Sequence, residues 1–514
     1  MYVFPYLCAY SIPVFYQKHA FMFTGKMFDK GQTHLSVLRA WVMRMLLVQK
    51  LNNPFGLGLI LLLSVPIAYL LAQFDLKVSA LIFGILVGLP LVFMCLVLPS
   101  VGLGMMLFTA VLVVFGAKFT GAPIGTLLDL LILVSAVGIL LRQIRERDWS
   151  FVKSPLSVMI MVWLYYNILQ ILNPGAESKM AWLYTVRSVA IQQIVFFIGA
   201  YAFKDNLKAL LFLLKLILGL CFLGAIYGLK QQYFGFSAAE EAWIYADPKR
   251  FELYYQWNMM RIPSYCYDPT TFGILMACFA MMCVVLLVAP TRVWQKILLG
   301  IGFICSMWVM GYTGTRTAFV LVPIGAVFYA AMTLNRNVLI VSLFFAVLGA
   351  GFIMKSSSSG VVYRIQSAFK PKEDDSMNLR LANQKKIQPY IQGHAMGGGL
   401  GSCGIWGERF NPDSELSHFP HDSSFVRMGV ELGWIGLILY TLLHYFVLRT
   451  GLYYYIRCED PMIKAIYAGI STWCFMLAVA CYAQEAILQL PMNVIYNIFL
   501  AILVSLKRFD PAYR

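Results

Sequence analysis

Uninterrupted apolar runs, long enough to cross a bilayer as helices of about 17–25 residues, recur along the chain. They predict spans near 54–74, 78–98, 101–120, 124–142, 155–172, 187–203, 207–228, 269–289, 293–312, 316–333, 336–354, 425–448, 462–482 and 487–506. The runs are continuous rather than alternating, so helices and not the strands of a barrel are the spanning element. Only Pro99 and Ser100 separate the second and third spans, which form either a tight hairpin or one broken element. The pattern predicts an all-α polytopic membrane protein of about 14 transmembrane helices.

Polar positions divide the chain further. An N-terminal segment, 1–53, precedes spans 1–7 (54–228). A long loop, 229–268, leads to spans 8–11 (269–354). A larger loop, 355–424, precedes spans 12–14 and a short tail (425–514). Basic residues orient this arrangement, because Lys and Arg favour the cytoplasmic side. Lys18, Lys26, Lys30, Arg39, Arg44 and Lys50 place the first segment inside. The count then puts Arg145, Arg147, Lys153, Arg292, Lys296, Arg449, Lys464, Lys507 and Arg508 inside as well. Both termini are expected in the cytoplasm and both long loops outside. The loops are rich in Trp, Tyr, Gly, His and Arg, which predicts ordered structure, with Ser356–Gly360 a flexible entry to the second.

Composition agrees. The 514 residues are 60% hydrophobic and 12% charged, about half the charged share of a soluble domain. The net charge of +16 is explained by cytoplasmic loops and anionic membrane lipid rather than by nucleic acid. Most of the 11 cysteines lie in apolar runs, where they act as small hydrophobes. Cys266 and Cys403 fall in the two outer loops, as a disulfide or as two free thiols. No cleavable leader and no metal-ligand spacing is read, so neither metal nor cofactor is expected. Glu373-Asp374-Asp375 reads as a solvated loop face.

Few charges lie deep in the spans, and no inverted repeat is found, which weakens a transporter reading. Polar groups collect instead at the outer helix ends. Four stretches stand out: Met260-Arg261-Ile262-Pro263 with Tyr267-Asp268-Pro269 behind it; Thr313-Gly314-Thr315-Arg316; Asn378-Leu379-Arg380 with the glycine cluster Gly397–Gly401; and His421-Asp422-Ser423-Ser424 leading into Glu431-Leu432-Gly433-Trp434-Ile435-Gly436. In this order, from Arg261 to about Tyr440, they resemble the O-antigen ligase family of membrane glycosyltransferases. The chain differs in about two extra spans and in Asp422, where Asn is common.

The resemblance implies transfer of a glycan from a polyprenyl (undecaprenyl) pyrophosphate donor to a hydroxyl of a glycan or lipid-linked glycan acceptor. It also implies the periplasmic face of a bacterial inner membrane. Arg261, Arg316 and Arg380 are then candidates to hold the pyrophosphate, where guanidinium forks suit an anion. His421 is the candidate general base. Glu431 is held open as an orienting carboxylate, while Arg427, four residues before it, reads as its structural helix partner. Arg187, His394 and His418 read as surface groups, and Gly429, Gly433 and Gly436 as one helix-packing face. Ligase and polymerase remain equally compatible. The rival class is a transporter or channel for lipid-linked or anionic glycans.

Overall fold

The computed structural model describes residues 64, 88–120, 125–256, 258–334 and 375–513. The expected spans 54–74 (Ser64 apart) and 336–354, most of 78–98, the Ser356–Gly360 entry and Glu373-Asp374 lie outside the described residues. Eleven helices among the described residues are long and apolar enough to cross a membrane. Numbered in chain order, the helices are α1 Pro99–Thr120, α2 Gly125–Glu146, α3 Pro155–Leu169, α4 Lys179–Val189, α5 Ile194–Ala202, α6 Leu207–Phe234, α7 Ala238–Tyr245, α8 Pro248–Tyr254, α9 Pro269–Val288, α10 Val293–Thr313, α11 Arg316–Thr333, α12 Asp375–Gly393, α13 Gly404–Phe410, α14 Ser424–Arg457, α15 Pro461–Ala483 and α16 Met492–Ser505.

Helix starts follow a repeated local rule. An Asp or Ser accepts first-turn N–H groups and a proline follows it, at Ser154-Pro155, Asp247-Pro248, Asp268-Pro269 and Asp460-Pro461. The side chain satisfies orphan donors, and proline loses no hydrogen bond at that position. Pro99 acts alike after the short apolar helix Gly88–Val97, so the second and third spans meet at a one-residue break at Leu98.

The described residues from Pro90 onward form one compact unit. Helices α9 and α16 are its innermost members, with 83% of each span buried against protein, whereas α10 is 22% buried and faces outward. Helix α9 packs against α10, α11 and α15, and α14 packs against α3 and α15.

Three elements differ from the sequence expectation. The span expected at 187–203 starts at Lys179 and consists of α4 and α5 joined by a tight turn at Ile191–Gln193. Arg187, read as a surface group, is ion-paired with Asp129 of α2, so its charge does not end the span. The span expected at 487–506 starts only at Met492, because 484–491 is a non-helical turn, which carries Gln484, Glu485 and Gln489. Helix α14 is interrupted at Gly433, whose φ of 69° and ψ of −172° lie outside helical geometry.

The first long loop is ordered as α7, α8 and a small antiparallel hairpin pairing Tyr255 with Met260 and Gln256 with Met259. Contacts join segments that the span count assigns to one side. Arg187–Asp129 and Lys118–Ser264 connect the end that carries the long loops. Lys204–Asp148, Arg508–Ser150 and the Asp510 contacts to the backbone of Glu459 and Asp460 connect the other.

Candidate functional site

The start of α14 is built by the motif that precedes it. Ser423 caps the helix and donates to Cys481 O at 3.1 Å; Ser424 donates to Gln484 O at 3.1 Å. These bonds fasten the α14 start to the end of α15 and so fix the turn 484–491. Three of its polar side chains are aimed inward. Gln484 donates to Thr317 at 3.4 Å, Gln489 meets Thr271 at 2.6 Å, and Glu485 faces α14.

Glu485 closes a buried ionic cluster. Arg427 Nη1 donates to both carboxylate oxygens of Glu485 at 2.9 Å, and Arg427 Nε donates to Glu431 at 3.1 Å. The Glu431 side chain is fully buried, and its second oxygen has no hydrogen-bond partner among the described residues. Cys403 donates its thiol to the first oxygen at 3.3 Å. Burial pushes that thiol well above its ordinary range, and the Glu431 charge adds to the effect, so the sulfur keeps its proton and acts as a donor. Cys403 and Cys266 are both buried free thiols.

His421 joins the cluster through Nε2, which is 3.3 Å from Glu485 Oε1; Nδ1 faces Phe419 O at 3.3 Å. The Cε1–Nε2 edge of the ring abuts Gly404, where a methyl would sit 2.3 Å from Cε1. Gly404 has φ of +73°, a conformation glycine adopts without strain. His394 and His418 are exposed, as expected, and each bonds only a backbone carbonyl.

The glycine cluster braces the break in α14. Gly398 N donates to Val430 O at 2.9 Å and Ile435 N to Ala395 O at 3.3 Å. A methyl on Gly433 would lie 2.2 Å from Ala395 O, and one on Gly397 2.4 Å from Gly433 N. Only Gly429 of the three expected packing glycines meets a side chain of another helix, Ile391 of α12. Gly433 instead admits the loop backbone, and Gly436 faces Leu432 across the break.

The arginines are placed unequally. Arg261 is buried, and each of its five N–H groups is matched by a protein acceptor. These are Thr313 O, Leu253 O, Gln256, Thr270 and Thr315, at 2.8–3.3 Å. It therefore holds the turn Thr313-Gly314-Thr315, which directs the chain into α11. Arg316 is the first residue of α11, half-buried between Thr315, which Arg261 holds, and Thr317, which meets Gln484. Arg380 of α12 donates from Nε to Asp422 at 3.0 Å, beside a groove lined by Asn383, Gln384 and Phe419.

Sequence reasoning did not select Glu485. A signal was present: it is the only charged residue between Lys464 and Lys507, and a lone charge bounded by apolar spans requires a partner. The cluster brings an imidazole, two carboxylates and a guanidinium together, side chains of the kind that transfer protons and bind anions.

No curated protein matches this chain. Residues 301–441 match the family model described as O-antigen ligase. That segment includes Arg316, Arg380, His421 and Glu431, and excludes Arg261 and Glu485. Through it, this multi-pass membrane chain is recognisably similar to the O-antigen ligase family.

Proposed function

We propose that the protein is a membrane glycosyltransferase of surface polysaccharide synthesis. It moves a glycan from a polyprenyl pyrophosphate carrier to an acceptor hydroxyl at the periplasmic face of a bacterial inner membrane. The observation that carries this reading is the meeting of His421, its ionic cluster and the α11 start bearing Arg316 at one end of the helix bundle. The O-antigen ligase match over 301–441 supports it.

In this reading His421 takes the proton of the acceptor hydroxyl as its oxygen attacks the anomeric carbon. The bond from that carbon to the pyrophosphate oxygen breaks, and its electron pair leaves with the pyrophosphate. Arg316 binds the growing negative charge, with Arg380 as the second cation at the groove; such stabilisation is often the largest catalytic contribution. Arg261, whose donors are all engaged, acts by position: it holds the turn that aims Arg316. Glu431 acts at one remove, by holding Arg427.

The test is transfer by purified protein in liposomes, with a polyprenyl pyrophosphate-linked glycan as donor, a panel of acceptors, and chelator present. Transfer by the wild type that collapses in His421→Ala supports the reading, and the productive acceptor separates ligase from polymerase. Donor binding without turnover on any acceptor, indifferent to His421→Ala, moves it to a transporter or scaffold.

A further inference from the structure

We propose that the groove between α12 and the His421 loop is the subsite for the sugar ring that carries the acceptor hydroxyl, and that the ring it takes is uncharged. The inference rests on the transferase reading and deepens it, by naming the chemistry of the acceptor.

Placement is the first argument. One wall of the groove is Arg380, Asn383 and Gln384 of α12, and the other is Phe419, Pro420 and Asp422. His421 falls in the chain between Pro420 and Asp422, so the segment that carries the base also walls the groove. Ala483 lines it too, two positions before Glu485, which faces His421. The space is about 250 Å³ and open to solvent. Sites that enclose a whole small ligand hold roughly 300–1,000 Å³, so this one suits a single ring of a glycan whose remainder lies outside.

The polar groups of the walls supply the second argument. Asp422 accepts from Arg380 Nε at 3.0 Å, and its other carboxylate oxygen has no hydrogen-bond partner among the described residues. The side-chain amides of Asn383 and Gln384 are half-buried and have no protein partner among the described residues either. Acceptors and donors are thus mixed along the groove, as a carboxylate, a guanidinium and two amides. A sugar hydroxyl is itself both donor and acceptor, and such mixed groups match it. Phe419, half-buried, adds an apolar surface for the C–H face of the ring.

Charge decides against the other occupant. A pyrophosphate is best met by cations alone. Arg380 and Asp422 are the only charged residues that line the groove, and they balance one another. An anion inside it would face the Asp422 carboxylate, a like-charge contact that is costly. An uncharged ring meets no such cost, and Arg380 then marks the border between acceptor sugar and pyrophosphate in the transfer step.

The competing account is that these side chains are only a solvated face of α12. The double variant Asn383→Ala with Gln384→Ala separates the two. It orphans no protein group, so the thermal melt should be unchanged. In the liposome assay KM for the productive acceptor should rise at least about tenfold, since two hydrogen bonds are lost. The kcat and the donor KM should stay within about twofold of wild type, as for a contact equal in ground and transition states. Saturation-transfer NMR of the protein in lipid nanodiscs gives a readout free of turnover. The probes are free neutral hexoses and N-acetylhexosamines beside their uronic acid counterparts. The wild type should bind a neutral sugar in preference to its uronic acid, and the double variant should lose that signal. Asp422→Asn, which leaves Arg380 unbalanced, should admit the uronic acid. A wild-type acceptor KM in the double variant, a raised donor KM in its place, or no neutral sugar bound in nanodiscs overturns the proposal. If the wild type transfers no glycan to any acceptor, the transferase reading fails by itself, and the nanodisc spectra alone decide whether the groove takes a sugar.

Discussion

Arg427 and Glu485 are 58 positions apart in sequence and share two hydrogen bonds of 2.9 Å. That contact turns a plain i, i+4 helix pair, Arg427 with Glu431, into a network that reaches His421. A guanidinium between two carboxylates links the inside of α14 to the turn after α15, and this link sets where the histidine stands.

Arg427→Met should be strongly destabilising, because Glu431 is fully buried and would keep a charge with no cation beside it. Breaking one side of such a pair costs about 3–5 kcal/mol. The double variant Arg427→Met with Glu431→Leu should recover most of the loss. Thermal midpoints in detergent for the single and double variants check this; equal melting of the two would show that the buried charge is not the cause.

His421→Ala should reduce transfer by about 100-fold or more, whereas His394→Ala and His418→Ala should leave it near wild type. The contrast follows from placement: the latter two are exposed and each bonds only a nearby backbone carbonyl. Parallel assays of the three variants, with expression and melting as controls, decide it.

Arg316→Lys keeps a positive charge but loses the planar fork. Transfer should fall at least about tenfold, because an ammonium does not replace bidentate contact with a pyrophosphate. Membrane insertion and thermal stability should be unchanged. Wild-type turnover in this variant would remove Arg316 from the site.

Gly433→Ala should unfold the junction between α14 and the glycine loop. Its φ of 69° with ψ of −172° falls in a region occupied almost only by glycine, at a cost of about 1–3 kcal/mol for other residues. Its methyl would also meet Ala395 O, a backbone atom, at 2.2 Å. Gly429→Ala meets only the Ile391 side chain, at 2.9 Å, and should be milder. Comparing the two melts tests whether the break is required.

Sidedness is open to a direct test. A reporter fused after residue 400 should be active outside the cytoplasm and one fused after residue 458 should not, since the glycine loop and the 458–460 turn lie at opposite ends of the span count. Equal activity of the two fusions would refute the assigned orientation.

Much of this protein was legible in the chain itself. The 3.6-residue helix and the thickness of a bilayer demand long apolar runs, so the helical class and the positions of Pro155, Pro269 and Pro461 at helix starts follow from local chemistry. The pairing of Arg427 with Glu431 also follows, because four residues is one helical turn. His421 and Arg316 were found because short motifs kept them beside recognisable neighbours. What a residue meets across the bundle was not legible. Glu485 looks like an isolated charge in a short turn until α15 packs on α14 and brings it to Arg427 and His421. Arg261 looks like a free cation until five acceptors from the surrounding loop and helix ends surround it. Gly433 looks like a packing glycine until the backbone at Ala395 enters the helix. Periodicity encodes only which face of an element is apolar. Which charges share a buried space depends on how the elements stack, and that packing alone determined the partners of His421.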